Sequence, residues 1–321
     1  MNWRRNSIGF AVSFISLFGM QVRDTLAQDQ SGAPWDSALY SDHPLVGRIW
    51  KSAGSAFIDS TTLYRELADG SYVLLGEKHD NPDHHRLQKS IVDELAANKL
   101  LSQVAFEMMD TSVQARLETI QAQDIASLDE LKQYLDWDEE GWDWSFYGPL
   151  LFDVLQARIE IDAANISSET MMRVYREPLA DEIAEVLDTA IVDQLNADID
   201  ESHCGLLPAS QFPAMVRVQQ VRDHQMALAL TSSPSSTTDE GISVLIAGNY
   251  HIRQDLGVPN YILALDSTAG RDEVISVALL EVANGEVDPA VYMESISGRG
   301  AFDYIWFTPA ISDEDYCASL Q

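Results

Sequence analysis

Two apolar stretches of the chain each end in the sequence Gly-x-x-His. The first leads into Gly76-Glu77-Lys78-His79 and the second into Gly248-Asn249-Tyr250-His251. Short, continuous apolar runs of this kind are typical of strands that are buried on both faces. A glycine at the end of a strand allows the backbone to turn, so the histidine three residues later can point into the crevice beyond it. The pattern predicts that two distant segments meet at the carboxyl ends of a sheet, where α/β proteins bind ligands.

The rest of the chain alternates between strand and helix patterns. Asn81-Pro82 predicts the start of a helix that ends near Asn98, and residues 103–108 predict the next strand. A strand, a helix and a strand at this spacing form a βαβ unit with parallel strands. Further strands are expected at 159–164, 241–247, 274–282 and 303–307, and helices at 111–123, 149–158 and 212–230. The predicted fold class is α/β, with a mostly parallel β-sheet flanked by helices.

Three segments depart from this alternation. Residues 127–147 are acidic and rich in tryptophan, and we expect a lid or an irregular loop there. Residues 168–235 show helical patterns with a break near 202–213, which predicts a smaller α-helical insertion or cap. Residues 28–45, ahead of the main domain at 46–317, are expected to form a mobile N-terminal segment.

Residues 1–27 have the pattern of a cleavable secretory signal peptide. Arg4 and Arg5 precede a short apolar run at residues 8–20, and residues 25–27 form a small-residue cleavage site. The apolar run is too short for a membrane-spanning helix. No cysteine lies near the cleavage site, so we see no lipoprotein anchor. The expected location is the periplasm or the exterior of the cell.

Charge and cysteine content narrow the range of partners. The chain has 51 acidic residues against 20 lysines and arginines, a net charge of −31, which argues against nucleic acid and anionic membrane surfaces. The charge suits solubility, and a cationic substrate is the alternative. Cys204 and Cys317 are an even pair, which favours a disulfide in an oxidising compartment. A metal or haem role for Cys204 is the other possibility.

Polar side chains follow three of the predicted strands. His79 and His251 end the two motifs, and Glu107 ends the strand between them. A carboxylate at the end of an apolar strand is costly to bury unless it is paired or bound to a cation. His79, His251 and Glu107 are therefore a candidate site for a divalent transition metal such as zinc or manganese. The alternative is that Glu107 pairs with Arg253 or Lys78 and only holds the loops together.

Two more histidines, His84 and His85, lie in the first turn of the helix that begins at Asn81. The positive end of the helix dipole lowers the pKa of a histidine there and favours the neutral, ligand-binding imidazole. Both are candidate ligands, with the alternative that one of them faces the core.

Taken together, three segments carry a family resemblance. They are Gly-Glu-Lys-His-Asp-Asn-Pro-Asp-His-His at 76–85, Phe106-Glu107-Met108, and the segment 248–259 that contains the second motif. They resemble the ChaN-like haem-binding uptake proteins, which belong to a wider group with the Tiki proteases and the erythromycin esterase-like proteins. The resemblance covers roughly residues 45–317. It implies an exported bacterial protein that serves haem or iron uptake, with a homodimer and an outer-membrane haem receptor system as the expected partners.

The resemblance also implies how haem (iron protoporphyrin) is held, namely by a tyrosine with a histidine nearby. Tyr147, in an aromatic segment, is the first candidate, and Tyr250, inside the second motif, is the next. Phenolate binds ferric iron strongly and suits haem capture. Arg253 is a candidate for binding a haem propionate through two hydrogen bonds. Its alternative is a salt bridge with Asp255 or Glu107.

The Tiki branch implies a different function, metal-dependent hydrolysis. His79 and His251 would then hold the ion, and Glu107 or Glu77 would activate the bound water as a general base. We favour haem binding over this enzyme hypothesis. A third hypothesis is a partner-binding module in which the motifs serve only the structure.

Overall fold

The computed structural model describes residues 34–232, 241–293, 295–296 and 298–320. The predicted signal peptide and the first part of the segment at 28–45 lie outside the described residues. From residue 34 onward this segment contacts the main domain: Leu39 pairs with Ala310, and the backbone N–H of Ser37 donates to Asp83. The mobility of the segment stays a prediction.

An eight-stranded sheet forms the centre of the molecule, in the order β2-β1-β10-β7-β3-β6-β4-β5. The six strands from β10 to β5 run parallel, and the two short strands β1 and β2 are antiparallel. The strands of this sheet are β1 (Ile49–Lys51), β2 (Ala56–Ile58), β3 (Tyr72–Glu77), β4 (Leu101–Asp110), β5 (Glu160–Asn165), β6 (Ile242–Gly248), β7 (Val274–Glu281) and β10 (Tyr304–Thr308). Two further strands, β8 (Ser295–Ile296) and β9 (Arg299–Gly300), form a separate antiparallel pair. The predicted fold class is confirmed.

Helices cover both faces of the sheet. They are α1 (Ser60–Leu67), α2 (Pro82–Ala97), α3 (Gln114–Leu117), α4 (Leu128–Leu135), α5 (Trp144–Gln156), α6 (Ser168–Arg176), α7 (Asp181–Ala184), α8 (Thr189–Ser202), α9 (Phe212–Thr231) and α10 (Val258–Leu265). Side chains of β3 alternate between two apolar cores: Val73 packs with α1, α2, α4 and α5, and Leu74 packs with α8, α9 and α10. None of the helices in the described residues is both long and apolar enough to cross a membrane.

The segment at 127–147 is more ordered than its composition suggested. Ser127 caps α4 by accepting from the N–H of Glu130, and Asp143 caps α5 by accepting from the N–H of Ser145. Asp136 adopts a left-handed conformation, with φ of 56°, and ends α4. The prediction of an irregular loop is therefore wrong for most of the segment. The acidic residues that suggested a loop include the caps of these helices.

The helix expected at 111–123 is reduced to the single turn of α3 and a 3-10 turn at Ala122–Asp124. The hydroxyl of Thr119 donates to the carbonyls of Ala115 and Arg116, which ends the first turn. The side chain of Gln114 instead contacts the edge strand β5: its Oε1 accepts from the N–H of Ala163 at 2.9 Å.

Four helices, α6 to α9, occupy the segment expected to be helical at 168–235. α9 packs against α10, β5, α6 and α8, and thus joins the group to the sheet. The break between α8 and α9 contains Cys204, which forms a disulfide with Cys317. This confirms the predicted bridge.

Candidate functional site

The two Gly-x-x-His motifs lie side by side. β3 and β6 are adjacent parallel strands, and Glu77 lies opposite Gly248. β4 flanks β6 on the other side and brings Glu107 to the same edge. His79 and His251 therefore meet at the carboxyl ends of the strands, as the sequence predicted.

The motif glycines are required by close packing. A Cβ atom at Gly76 would lie 2.3 Å from Oδ1 of Asn249 and 2.6 Å from Cδ1 of Ile252. A Cβ atom at Gly248 would lie 3.0 Å from Nε2 of His79. Neither glycine has a positive φ. The chain therefore needs glycine here because side chains from the opposite motif approach the backbone, and not because the strand turns sharply.

Glu77 is the centre of a first polar network. Its Oε1 accepts from the hydroxyl of Tyr147 at 2.6 Å and lies 2.8 Å from Nδ1 of His79. Its Oε2 lies 3.1 Å from Nδ1 of His85. Burial would raise the pKa of Glu77, but the charge of His85 and the hydrogen bond with His79 outweigh burial and lower the pKa to about 2. Glu77 is thus a buried carboxylate that is hydrogen-bonded at Oε1 and paired by distance alone at Oε2, which has no hydrogen-bond partner among the described residues.

Glu107 is the centre of a second network. Its Oε2 accepts from the backbone N–H of Gly248 at 2.8 Å, and its Oε1 lies 3.3 Å from Nε2 of His251. Nδ1 of His251 lies 2.5 Å from Oδ1 of Asp223 on α9. Burial would lower the pKa of His251, but the two carboxylates raise it to about 10, and the same pairing lowers the pKa of Glu107 to about 2. Asp223 was not among the residues predicted for this site.

The candidate metal site at His79, His251 and Glu107 has no support from this geometry. Among the residues described, no three His, Cys, Asp or Glu side chains are grouped so that they could hold a metal ion. The carboxylates are instead paired with histidines. Lys78 pairs with Glu281 and Arg253 with Asp255, so neither cation is the partner of Glu107 that the sequence suggested.

The remaining predicted ligands of the first motif lie in the interior. His84 is fully buried; its Nδ1 accepts from the N–H of Lys78, and its Nε2 lies 2.8 Å from Oγ1 of Thr308. Burial lowers the pKa of His84 to about 3, so it is neutral and structural. The ring of His85 stacks on Phe146 at 4.5 Å.

Arg253 is also engaged within the protein. Its Nε and Nη2 donate to the two carboxylate oxygens of Asp255 at 2.9 and 2.8 Å. The side chain is buried, so this bidentate pair is shielded from solvent. Arg253 thus makes the salt bridge that was the alternative to propionate binding.

An apolar cleft of about 950 Å³ opens beside the two motifs. His79, Tyr250 and His251 line it together with side chains of α6, α8 and α9. Its apolar walls are formed by Met171, Met172, Leu195, Ile199, Met215 and Val218. Sites for small molecules are concave and mostly apolar, with a few polar groups and volumes of roughly 300–1,000 Å³. The cleft has the size and lining of such a site.

The three tyrosines near the motifs differ in accessibility. Tyr147 is 1% exposed and donates to Glu77, and both burial and that carboxylate raise its pKa. Tyr250 lines the cleft but donates to Asp198 at 2.6 Å, and burial and this bond raise its pKa as well. Tyr175 lines the cleft, and its side chain is 37% exposed. No carboxylate engages its hydroxyl among the residues described.

Sequence reasoning missed Tyr175, although a signal for it exists. Met171, Met172 and Tyr175 share one face of α6, a helix in which no residue is buried. An apolar face on an unburied helix is typical of a binding surface. The position of Tyr175 is fixed by Arg217 of α9, whose guanidinium donates to the carbonyls of Val174 and Tyr175 at the end of α6.

Comparisons with known proteins agree with this architecture. The family model described as haem-binding uptake, Tiki superfamily, ChaN matches residues 63–262. ChaN of Campylobacter jejuni, in a structure of cofacial haem binding, is 25% identical with a TM-score of 0.64, over 80% of this chain and 95% of that one.

Two further structures are more distant. The type III effector HopBA1 is 13% identical with a TM-score of 0.44, over 77% of this chain and 92% of that one. A mutant of the erythromycin esterase EreC in its open conformation is 12% identical with a TM-score of 0.42, over 69% and 72%. No curated protein matches the chain. The match to the family model shows that the chain belongs to the haem-binding uptake family of ChaN proteins in the Tiki superfamily.

Proposed function

We propose that this protein binds haem in the apolar cleft and serves haem or iron uptake. The observation that carries the proposal is the cleft itself, which combines apolar walls, an accessible tyrosine and both motif histidines. Membership of the ChaN family and the similarity to a ChaN structure with cofacial haem support it.

The residues of the cleft fit haem. Met171, Met172 and Met215 provide a flexible apolar lining for the faces of a porphyrin. Of the two tyrosines that line the cleft, Tyr250 donates to Asp198, so Tyr175 is the phenol available to ferric iron, and bound haem would supply that iron. Nδ1 of His79 lies against Glu77, which leaves Nε2 available on the side of the cleft to hydrogen-bond a ligand.

A haemin titration of the purified protein, followed by absorbance, tests the proposal. We expect a saturable shift of the Soret band and a ferric phenolate spectrum. Tyr175→Phe should remove the phenolate features and weaken binding, because it removes the oxygen that would bind the iron. Tyr134→Phe is the matched control, since Tyr134 is 38% exposed and, within the described residues, its hydroxyl hydrogen-bonds Arg116 and Thr119 away from the cleft.

Two results would count against this assignment. Absence of any saturable shift in the wild type would remove haem as the ligand. An unchanged spectrum in Tyr175→Phe, with loss in Tyr250→Phe, would move the iron ligand to Tyr250 and require its bond with Asp198 to break.

We further propose that the protein acts in the periplasm after export. The pattern of residues 1–27 and the Cys204–Cys317 disulfide support an oxidising compartment. N-terminal sequencing of protein recovered from osmotic-shock fluid should begin at Gln28. An uncleaved N-terminus in the cytoplasmic fraction would refute this location. An outer-membrane haem receptor system is the partner that such a location would serve.

A haem-linked homodimer is part of the proposal. Met172 and Tyr175 line the cleft and are still partly exposed, so one side of a bound ligand would contact a second molecule or water. Sedimentation of the protein before and after one equivalent of haemin should show the molecular mass double. A haem-bound monomer would contradict the dimer but not haem binding.

A further inference from the structure

Arg222 is the arginine that lines the cleft, and it combines partial burial with the absence of an ion-pair partner among the described residues. It is half-buried on α9, it lines the cleft, and its Nε is buried without a hydrogen-bond partner. In the described part of the chain it forms no ion pair, whereas Arg253 pairs with Asp255 and Arg86 with Asp83. A cation removed from water without a counter-charge is destabilising. The absence of a carboxylate partner is unexpected in a chain with 31 more acids than bases.

The position of Arg222 on α9 directs it to the ligand. Met215, Val218 and Gln219 also line the cleft, and these residues with Arg222 follow the spacing of one helical face. Gln219 on that face contacts His251 of the second motif. Arg222 therefore belongs to the wall that continues from the motif histidines.

We propose that Arg222 binds a propionate carboxylate of haem; this inference rests on the proposed haem site and names its anion-binding residue. A guanidinium binds a carboxylate through two parallel N–H···O hydrogen bonds. This interaction is stronger in an apolar, partly dehydrated cleft than in water. The propionate would supply both the missing counter-charge and an acceptor for the guanidinium. Arg253 cannot take this role without losing its buried pair with Asp255.

The experiment compares two porphyrins that differ only at the carboxylates. Haemin and its dimethyl ester are titrated into the full-length protein, the wild type and Arg222→Gln, with Arg222→Lys as an intermediate that keeps the charge but not the fork. Arg176→Gln is the control, because Arg176 is an exposed arginine at the end of α6. Circular dichroism and thermal unfolding establish that each variant is folded.

Arg222→Gln should weaken haemin binding about 10- to 100-fold, the effect of losing a charged hydrogen bond. The same variant should bind the dimethyl ester within about threefold of the wild type, because the ester has no anion to lose. The haemin affinity of Arg222→Lys should lie between that of the wild type and that of Arg222→Gln. The control should bind both porphyrins as the wild type does.

Two outcomes overturn the proposal while leaving haem binding intact. One is an unchanged haemin affinity in Arg222→Gln. The other is an equal loss of affinity for haemin and for its ester, which would show that Arg222 supports the shape of the cleft and does not bind a carboxylate. If the wild type binds neither porphyrin, the proposed function fails and the role of Arg222 fails with it.

Discussion

At the scale of single residues, the site consists of two buried carboxylates, each compensated by histidines. Glu77 pairs with His79 and His85, and Glu107 pairs with His251. Breaking one partner of such a pair leaves an uncompensated charge, which costs more than the pair itself contributes. The polar residues that the sequence singled out as ligands therefore contribute first to the stability of the motif loops.

Glu107→Gln tests this role through pH. The pKa of Glu107 falls from 4.5 to about 2 on folding, so its contribution is present above pH 4.5 and is lost as pH falls toward 2. The pKa of His251 rises from 6.5 to about 10, so its contribution is complete below 6.5 and is lost as pH rises toward 10. The difference in unfolding free energy between wild type and variant should therefore be largest between pH 4.5 and pH 6.5.

Urea denaturation across the pH range measures this difference. Glu314→Gln, at an exposed carboxylate, is the control and should show little dependence. A difference for Glu107→Gln that does not change with pH would show that the pair is not ionised in the folded protein.

Tyr147→Phe distinguishes a structural role of the Tyr147 hydroxyl from a role in binding haem iron. Removal of the hydroxyl takes one hydrogen bond from the buried carboxylate of Glu77, at a cost of about 1.5–3 kcal/mol of stability. Haemin affinity should be unchanged, because Tyr147 is not among the residues that line the cleft. Denaturation and haemin titration of the same variant give both values. Loss of the ferric phenolate spectrum would return Tyr147 to the role of iron ligand.

The sequence predicted part of this site correctly. Gly-x-x-His motifs after apolar runs are local patterns, and parallel strands bring their ends together, so the meeting of His79 and His251 followed from the sequence. The partners of Glu77 and His251 could not be predicted in the same way. Tyr147 and Asp223 lie on helices, and no local sequence pattern specifies how those helices pack against the sheet. Tyr175 was missed for a different reason, because the apolar face that it shares with Met171 and Met172 on α6 was not recognised as a binding surface.

At the scale of elements, the alternation of strand and helix patterns was sufficient to predict the parallel strands of the central sheet. The strands β3, β4, β5, β6, β7 and β10 were all expected within a few residues of their observed bounds. β1 and β2 were missed, because three-residue strands contain too little pattern to be recognised. α10 was missed because Pro259 in its first turn was interpreted only as the end of the family segment 248–259.

Gly76→Ala tests the close contact between the motif strands. The added methyl group would collide with Asn249, whose amide donates to the carbonyl of Leu279 and cannot move freely. We expect a loss of about 1–3 kcal/mol in unfolding free energy, typical of overpacking. Gly141→Ala is the control: its nearest neighbour is the exposed end of Asp138, so the change should stay within about 0.5 kcal/mol. Equal stability of the two variants in urea would contradict the packing argument.

At the scale of the whole molecule, the disulfide joins the C-terminal tail to the cleft. Cys204 follows α8, and residues of α8 line one wall of the cleft, while Cys317 lies 113 residues further along the chain. A cross-link that closes a long loop restricts the unfolded chain. The bridge therefore stabilises the fold and at the same time anchors the end of α8, the helix that forms one wall of the cleft.

The double variant Cys204→Ser/Cys317→Ser should be less stable than the oxidised wild type by about 2–5 kcal/mol. Denaturant titrations of the oxidised protein, the reduced protein and the double variant measure the loss. The reduced protein and the variant should agree with each other. Identical midpoints for all three would show that the loop is constrained by other contacts.

The contact between Gln114 and Ala163 covers part of one edge of the sheet. An edge strand with free backbone groups is a template for adding strands from other chains without limit. Gln114 occupies the N–H of Ala163 on β5, and at the opposite edge β2 offers only three residues. Growth of fibrils by sheet extension is thereby opposed at both ends. The proposed two-fold pairing through a helical face would, in contrast, close on itself and stop.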